Sequence, residues 1–297
     1  MSEARPAIGV IGVGAMGMGV VASLVRGGFP THARDIRPEA HREAASRGAT
    51  CHPSAAALAN ACDIAIVLVV DAAQVDEVLF GAGGAASAFR REAIVMLSST
   101  VAPAYVSALS ARLAPHGVRL VDAPVSGGPR RAADGTMTLM VAGEAAALAR
   151  CEPVIAAMSG RVFRVGHAPG DAATFKIVNN LLAAVNLAAG AEALALALRA
   201  GLDAEQFVAV VNASSGGSWM FADRMPRVLT GDFAPRAAAR ILAKDVGIAA
   251  EFAAGLGADA AFANTALAAF RGMVDAGYGE LDDAAICKYL AEKQSKP

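Results

Sequence analysis

An apolar run near the start of the chain changes into closely spaced glycines and then continues with helical spacing. Residues 8–11 form the run, and Gly12, Gly14 and Gly17 fit the pattern G-x-G-x-x-G. This order of strand, tight turn and helix is typical of a dinucleotide-binding unit. The first glycine allows the turn, the second lets a pyrophosphate approach the backbone, and the third lets the helix pack against the strand. The positive N-terminal end of the helix then faces the phosphates.

An acidic residue at a suitable distance supports this interpretation. Asp35 follows Gly14 by 21 positions, and a carboxylate at the end of the second strand can accept hydrogen bonds from the adenosine ribose. Asp35 would repel a 2′-phosphate, whereas Arg37 could attract one. We therefore predict a site that prefers NAD and still allows NADP. Its predicted residues in this part of the chain are Gly12, Gly14, Ala15, Met16, Gly17, Asp35, Ile36, Arg37, Val69 and Val70.

The composition argues against several classes of partner. The formal net charge of the 297 residues is −1, and no run of Lys or Arg stands out, so we expect binding of neither nucleic acid nor a membrane surface. Four cysteines without C-x-x-C spacing, and no signal-peptide pattern, predict a cytoplasmic protein. The five histidines lack metal-ligand spacing, so we infer no metal site. The expected partner is a small molecule.

Strand and helix patterns alternate as far as about residue 166. The apolar run 63–70 is typical of a strand buried on both faces, as is 94–97, and 136–141 and 161–165 predict two more strands around a helix at 144–158. From residue 171 onward the periodicity is helical, with breaks near residues 201, 216, 231 and 278. We predict an α/β Rossmann domain over residues 1–168 and an all-helical domain over 169–297.

One apolar stretch of the second half is long enough to suggest a membrane span. Alanine and glycine fill much of residues 181–198, and Asn186 and Glu192 interrupt them. A buried helix is therefore the better interpretation.

Two loops after predicted strands carry candidate binding groups. Ser98, Ser99 and Thr100 could cap the next helix, or Thr100 could bond to the cofactor. After a later strand come Ser126, Gly127 and Gly128. A loop that turns at two glycines can hold a carboxylate with successive N–H groups, although the same residues suit an ordinary turn.

A single lysine is the main candidate for chemistry in the second half. Lys176 is the only charged side chain between Asp171 and Glu192, and Asn180 lies on the same helical face four residues later. Burial of an uncompensated ammonium costs several kcal/mol, so Lys176 either extends to water or has a task. Beside a dinucleotide site, a catalytic role for Lys176 is the favoured interpretation, because a lysine whose pKa is lowered by burial can take or return a hydroxyl proton. Asn180 would hold the substrate oxygen or orient the ammonium.

Two further features have simpler alternatives. Lys244 and Asp245 lie in an amphipathic stretch over residues 236–252 and could form an ordinary solvated ion pair. Trp219, followed by Met220 and Phe221, is expected to anchor helix packing rather than to line a substrate site.

Four motifs, in their order and separations, resemble the β-hydroxyacid dehydrogenases, the group of 3-hydroxyisobutyrate dehydrogenase and tartronate semialdehyde reductase. They are residues 12–17, the stretch Asp-Ala-Pro-Val-Ser-Gly-Gly at 122–128, Lys176 with Asn180, and Lys244 with Asp245. The resemblance covers nearly the whole chain. Within the family, Gly-Met-Gly after the first turn, Ser-Ser-Thr at 98–100, and the stretches 218–221 and 277–279 look most similar to the L-threonate dehydrogenase branch.

This resemblance implies a 6-phosphogluconate dehydrogenase-like architecture, a homodimer or homotetramer, and catalysis in a cleft between the two domains. Many members have an acid where this chain has Ser98, a position at which the threonate-like branch tolerates serine. Imine-reducing relatives lack the lysine, so its presence favours alcohol and carbonyl chemistry. The implied roles are acid/base for Lys176, assistance from Asn180, carboxylate binding for Ser126, Gly127 and Gly128, and cofactor contact for Thr100 and Lys244.

The sequence therefore predicts an NAD-dependent oxidoreductase that transfers hydride between a small hydroxy acid and the nicotinamide. L-Threonate or a close relative such as 3-hydroxyisobutyrate is the expected substrate. Two alternatives remain: an NADPH-dependent reductase of tartronate or succinate semialdehyde, and a non-catalytic module that binds a dinucleotide.

Overall fold

The chain forms two compact units that meet in sequence between Lys176 and Ile177. The computed structural model describes residues 5–294. The division falls inside a long helix, whose first turns belong to the first unit and whose remainder belongs to the second.

The first unit contains a nine-stranded sheet in the order β3-β2-β1-β4-β5-β6-β8-β7, with β9 paired to β8. Strands β1 to β6 are parallel to one another, whereas β8 runs antiparallel to β6 and β7. The strand order reverses between β1 and β4, and the crevice beyond the carboxyl ends of the strands at such a point is where ligands bind in open α/β sheets. The strands are β1 Ile8–Ile11, β2 Thr31–Arg34, β3 Thr50–Cys51, β4 Ile64–Val67, β5 Ile94–Leu97, β6 Arg119–Asp122, β7 Val125–Ser126, β8 Met137–Gly143 and β9 Ser159–Gly166.

Helices cover both faces of this sheet, which explains why its central strands are apolar throughout. In β1, Ile8 and Val10 point into one core and Ile11 into the other, because successive side chains of a strand alternate between faces. The helices are α1 Ala15–Arg26, α2 Pro38–Ser46, α3 Ala55–Ala61, α4 Ala72–Phe80, α5 Pro103–Leu113, α6 Gly128–Asp134 and α7 Ala145–Met158.

The rest of the chain is built from helices, as the periodicity predicts. The helix that spans the division ends just before Gly201, whose φ of +78° suits glycine, and the last break coincides with Gly277, whose φ is +90°. The predicted fold class, a Rossmann unit followed by helices, is confirmed. The helices are α8 Asp171–Arg199, α9 Ala204–Asn212, α10 Trp219–Leu229, α11 Ala239–Gly255, α12 Ala261–Met273 and α13 Ile286–Gln294.

Helix α8 is the one helix among the described residues that is long and apolar enough to cross a bilayer by length and composition. One of its faces is in the core of the second unit, through residues such as Leu187 and Leu194. Its opposite face is exposed: Phe175, Val178 and Leu182 are each more than half accessible. The predicted burial of this helix therefore holds for one face only.

The expected packing role of Trp219 is wrong. Its side chain is 59% exposed, and the neighbouring Met220 and Phe221 fill the core instead.

A buried carboxylate secures the loop that precedes α11. Asp282 is fully buried, accepts the N–H groups of Arg236 and Ala237, and lies 2.9 Å from Nη2 of Arg227 on α10. Burial alone would raise the pKa of Asp282, but these partners hold it below its usual range. The start of α11, the helix that carries Lys244 and Asp245, is thereby fixed to α10.

Candidate active site

The three glycines after β1 have three different environments. Gly12 has a φ of +91°, and a side chain there would lie 2.6 Å from the carbonyl oxygen of Leu68. A Cβ at Gly17 would overlap the carbonyl oxygen of Gly12. At Gly14, by contrast, a Cβ would meet only Nη2 of Arg37, at 3.9 Å. The fold therefore requires Gly12 and Gly17, whereas Gly14 leaves the open space at the start of α1 that a pyrophosphate needs.

Asp35 links the end of β2 to this glycine loop. Its Oδ2 accepts the N–H of Val13 at 2.9 Å, and its Oδ1 accepts the backbone N–H and the Nε–H of Arg37 at 3.0 and 2.9 Å. Burial would raise the pKa of Asp35, but the hydrogen bonds and charge of Arg37 outweigh it and lower the pKa. The carboxylate is therefore charged at neutral pH, and it already accepts hydrogen bonds from Val13 and Arg37.

The neighbours of Asp35 complete this part of the site. Ile36 is 84% exposed beside the loop, and Nη2 of Arg37 lies 3.4 Å from the carbonyl oxygen of Val13. Sequence reasoning missed His41, whose Nε2 accepts the backbone N–H of Asp35 at 3.0 Å. The only sequence signal for it was a histidine six positions after the acid.

Strand β4 ends close to the glycine loop. The predicted strand 63–70 ends at Val67, and Val69 and Val70 belong to the loop that follows it. A Cβ at Gly12 would lie 2.9 Å from Cγ1 of Val69, so this valine borders the turn directly. The N–H of Val70 is bonded to Oε1 of Gln74 at 3.0 Å.

The hydroxyl groups of Ser98 and Ser99 form hydrogen bonds to residues that follow neighbouring strands. Ser98 Oγ donates to the carbonyl oxygen of Ala123 at 2.9 Å, and Ser99 Oγ accepts the N–H of Val69 at 3.0 Å. Helix α5 has Ala102 as its N-cap residue, without a side-chain cap. Thr100 is partly exposed at the end of this stretch, and its contact with the cofactor remains a prediction.

The loop after β7 turns at two glycines, as the sequence indicates. Ser126 pairs with Thr138 of β8, and Gly127 and Gly128 have φ angles of +131° and +75°. A Cβ at Gly128 would meet nothing within 4 Å. The backbone at this glycine is therefore open to a small ligand.

Asp122, the first residue of the same motif, is a site residue that sequence reasoning did not single out. It is 1% exposed at the end of β6, and its Oδ2 accepts the N–H groups of Gly170 and Ala173 at 3.0 and 2.9 Å. Burial raises the pKa of Asp122 to about 6, although these N–H groups oppose the rise. The sequence shows the motif that contains Asp122, but it does not show that Asp122 binds Gly170, which lies 48 residues further along the chain.

Lys176 lies in the second turn of α8 and is 9% exposed. Extension of this side chain into solvent, the simpler alternative, does not agree with that burial. Asn180, one turn later on the same face, is 8% exposed. The structure thus places two buried polar side chains one turn apart on the same face of α8.

Asp245 fixes the orientation of the Asn180 amide. The Asn180 Nδ2 donates to Oδ2 of Asp245 at 2.7 Å, because a carboxylate accepts hydrogen bonds and cannot face the amide oxygen. The Nζ of Lys244 lies 2.7 Å from Oδ1, the other oxygen of Asp245. Asp245 is only 4% exposed. A solvated ion pair is therefore the wrong description of Lys244 and Asp245. The Asn180 carbonyl oxygen accepts the Nδ2–H of the neighbouring Asn179 at 3.1 Å.

Both halves of the chain match known family models. Residues 7–166 match the NAD binding domain of 6-phosphogluconate dehydrogenase, and residues 170–290 match the NAD-binding domain of NADP-dependent 3-hydroxyisobutyrate dehydrogenase. An L-threonate dehydrogenase from Cupriavidus necator is 45% identical over 95% of each chain. The chain belongs to the β-hydroxyacid dehydrogenase family.

Solved structures agree with this assignment. A 3-hydroxyisobutyrate dehydrogenase from Salmonella typhimurium superposes with a TM-score of 0.90 at 41% identity, over 95% of this chain and 99% of that one. A Mycobacterium tuberculosis 3-hydroxyisobutyrate dehydrogenase solved with L-serine gives 0.85 at 29% identity, over 96% and 99%. The predictions of the family and of a nicotinamide-dependent dehydrogenase are therefore confirmed.

In this β-hydroxyacid dehydrogenase, the predicted site residues form separate groups within the two units. The glycine loop, Asp35, Ile36, Arg37 and Val69 lie together in the first unit, and Asn180 joins Lys244 through Asp245 in the second. Within residues 5–294, no cluster of three or more His, Cys, Asp or Glu side chains is arranged to hold a metal ion.

The two glycines Gly14 and Gly17 should respond differently to alanine. Gly14→Ala is expected to cost at most about 1 kcal/mol of stability, the usual loss at an N-cap, while NADH affinity falls about tenfold or more because a methyl group enters the pyrophosphate space. Gly17→Ala should lower the free energy of unfolding by about 2 kcal/mol or more, because α1 must move away from Gly12. Thermal unfolding and NADH fluorescence titration measure the two effects. Equal loss of stability in both variants would contradict this assignment.

Proposed function

We propose that this protein is an NAD-dependent dehydrogenase of a small hydroxy acid, with L-threonate or a close sugar acid as its substrate. The observation that carries the proposal is the burial of Lys176 and Asn180 on one face of α8. The relatives named L-threonate dehydrogenase, 45% to 38% identical over almost the whole chain, support the choice of substrate.

In the proposed reaction, Lys176 is the acid/base. When bound, the nicotinamide supplies the acceptor for the hydride that leaves the carbinol carbon. As that C–H bond breaks, Nζ of Lys176 takes the hydroxyl proton, and the C–O bond becomes a carbonyl. The reverse reaction returns the same proton to the carbonyl oxygen.

The remaining groups position the substrate in this proposal. Ser126, with the backbone of Gly127 and Gly128, holds the substrate carboxylate. The Asn180 carbonyl oxygen, which accepts the Nδ2–H of Asn179 at 3.1 Å, has a second lone pair that accepts a hydrogen bond from the Lys176 ammonium or the substrate hydroxyl. Thr100 and Lys244 contact the cofactor.

A panel of three- and four-carbon hydroxy acids tests this function. NAD reduction at 340 nm is expected to give the highest kcat/KM with L-threonate. Faster turnover of tartronate or succinate semialdehyde with NADPH would identify a semialdehyde reductase instead. Tight NAD binding without turnover of any hydroxy acid would identify a non-catalytic dinucleotide-binding module.

Substitution of Lys176 tests the mechanism. Lys176→Met should lower kcat about 100-fold or more, because general acid/base catalysis contributes at least that factor, and should leave NADH affinity within about threefold. Lys288→Met, which removes a half-exposed lysine from α13, is the matched control and should keep full activity. Unchanged turnover of Lys176→Met with normal NADH binding would remove Lys176 from the mechanism.

The preference for NAD rests on the pair formed by Asp35 and Arg37. Both Nε and Nη2 of Arg37 bond to Asp35, so its charge is already compensated where a 2′-phosphate would bind. Asp35→Asn should raise the kcat/KM ratio of NADP to NAD about tenfold, because a repulsive charge is lost and Arg37 is released. Steady-state kinetics with both cofactors measure this ratio. The double variant with Arg37→Ala should lose the gain, and an unchanged ratio in Asp35→Asn would contradict the proposed role.

We also propose that the protein is a homodimer or homotetramer, located in the cytoplasm. The exposed side chains of Phe175, Val178, Leu182 and Leu196 recur at helical spacing along α8, and a stripe of this kind on one helix is typical of an interface. The four cysteines are all free, which is in keeping with a reducing compartment.

A charge in this stripe should dissociate the oligomer. Leu182→Glu is expected to shift the mass measured by light scattering after gel filtration towards the monomer, because a carboxylate cannot be buried there without a partner. Leu256→Glu, at another exposed leucine just beyond the end of α11, is the control and should keep the wild-type mass. A monomeric wild-type protein would contradict the proposal.

A further inference from the structure

The buried carboxylate of Asp122 connects two elements that are far apart in sequence. Asp122 ends β6, and it accepts the N–H groups of Gly170, just before α8, and of Ala173, in the first turn of α8. Both bonds converge on Oδ2. A single oxygen of this side chain therefore holds the start of the helix against the sheet.

The held turn lies directly before Lys176. Ala173 and Lys176 are three residues apart and so are neighbours on one face of the helix. Ser126, where the loop proposed to hold the substrate carboxylate begins, comes four positions after Asp122. One side chain thus relates the position of the lysine to that of the loop.

A general role in helix capping does not explain this contact. The same helix end has a second carboxylate, Asp171, whose Oδ2 accepts the N–H groups of His167 and Ala168 at 3.0 and 2.9 Å. Asp171 therefore closes the loop next to it, whereas Asp122 reaches the helix from another element. Of these two carboxylates, Asp122 is the one that joins the helix to a strand.

The burial of Asp122 also distinguishes it from an ordinary cap. The residues paired with it on the two neighbouring strands, Leu97 and Ala142, are apolar. The charged group that acts on it from α8 is Asp171, which adds to the effect of burial in raising its pKa. Buried polar contacts of this kind hold one arrangement, because breaking them leaves the group unsatisfied.

We propose that Asp122 is a positioning residue, which places Lys176 against the substrate by anchoring the first turn of α8 to the end of β6. The inference rests on the proposed acid/base role of Lys176. Its consequence is that loss of the anchor slows the chemical step without weakening cofactor binding, since a misplacement of about 1 Å can cost about 100-fold in rate.

Three variants separate anchoring from charge and from capping. Asp122→Ala removes the acceptor, and Asp122→Asn keeps one oxygen that can accept both N–H groups while removing the charge. Asp171→Ala removes the other cap from the same helix end. Each variant is compared with the wild type by kcat, by KM for NAD and hydroxy acid, by NADH binding, and by hydrogen exchange over residues 170–176.

The expected pattern is specific. Asp122→Ala should lower kcat about 10- to 100-fold, with KM for NAD within about twofold and faster exchange of the Gly170 and Ala173 amides. Asp122→Asn should stay within about fivefold of wild-type kcat, because the oxygen that anchors the helix is kept. Asp171→Ala should keep wild-type kcat. Asp122→Ser, too short to reach the helix, replaces Asp122→Ala if the alanine variant does not bind NADH, with the same expected losses.

Three results would overturn the proposal. Faster exchange in Asp122→Ala with unchanged kcat would show that the anchor does not matter for the reaction. An Asp122→Asn variant as slow as Asp122→Ala would show that the charge, not the anchor, is needed. Equal losses of kcat in Asp171→Ala and Asp122→Ala would show that the Asp122 contact acts only as a helix cap. If the wild type oxidises no hydroxy acid, the proposed function fails, while the exchange measurement still tests the anchor.

Discussion

Helix α1 can lie where it does only because residue 17 has no side chain. The backbone of Gly17 lies so close to the carbonyl oxygen of Gly12 that a Cβ would overlap it. The helix can therefore begin at the carboxyl end of β1 and direct its first N–H groups beyond the sheet. The strand order reverses between β1 and β4, which opens a crevice at this end of the sheet. Asp35, at the end of β2, and Val69, just beyond β4, border this start of a helix.

Buried carboxylates organise the rest of the candidate site. Asp35 holds the glycine loop, Asp122 holds the start of α8, and Asp282 holds the loop before α11, each by accepting backbone N–H groups from a distant segment. Asp245 orients a side-chain amide in the same way. Because such a carboxylate is costly to bury unless it is fully bonded, each one specifies a single arrangement of the loop that it binds.

The architecture was readable from the sequence because it depends on local patterns. The apolar strands, the glycine turn and the breaks at Gly201 and Gly277 coincide with structural boundaries. Contacts between distant segments were not readable, and these decide the site. Lys244 and Asp245 looked like a surface pair, and only the fold shows that the carboxylate meets Asn180 in the interior. Trp219 was expected to anchor helix packing, yet its position at the start of α10 leaves it in solvent. No hydrophobic periodicity in the sequence indicated that Asp122 binds the start of α8.

Helix α8 runs without interruption from Asp171 to Arg199, and this continuity limits how the family can evolve here. Insertion of one residue between Ala173 and Lys176 would rotate everything beyond it by about 100° and advance it by about 1.5 Å. Lys176 and Asn180 would then face a different direction from the turn that Asp122 holds. Natural variants of this segment should therefore differ by substitution, and changes in length should be confined to the loops on either side of the helix.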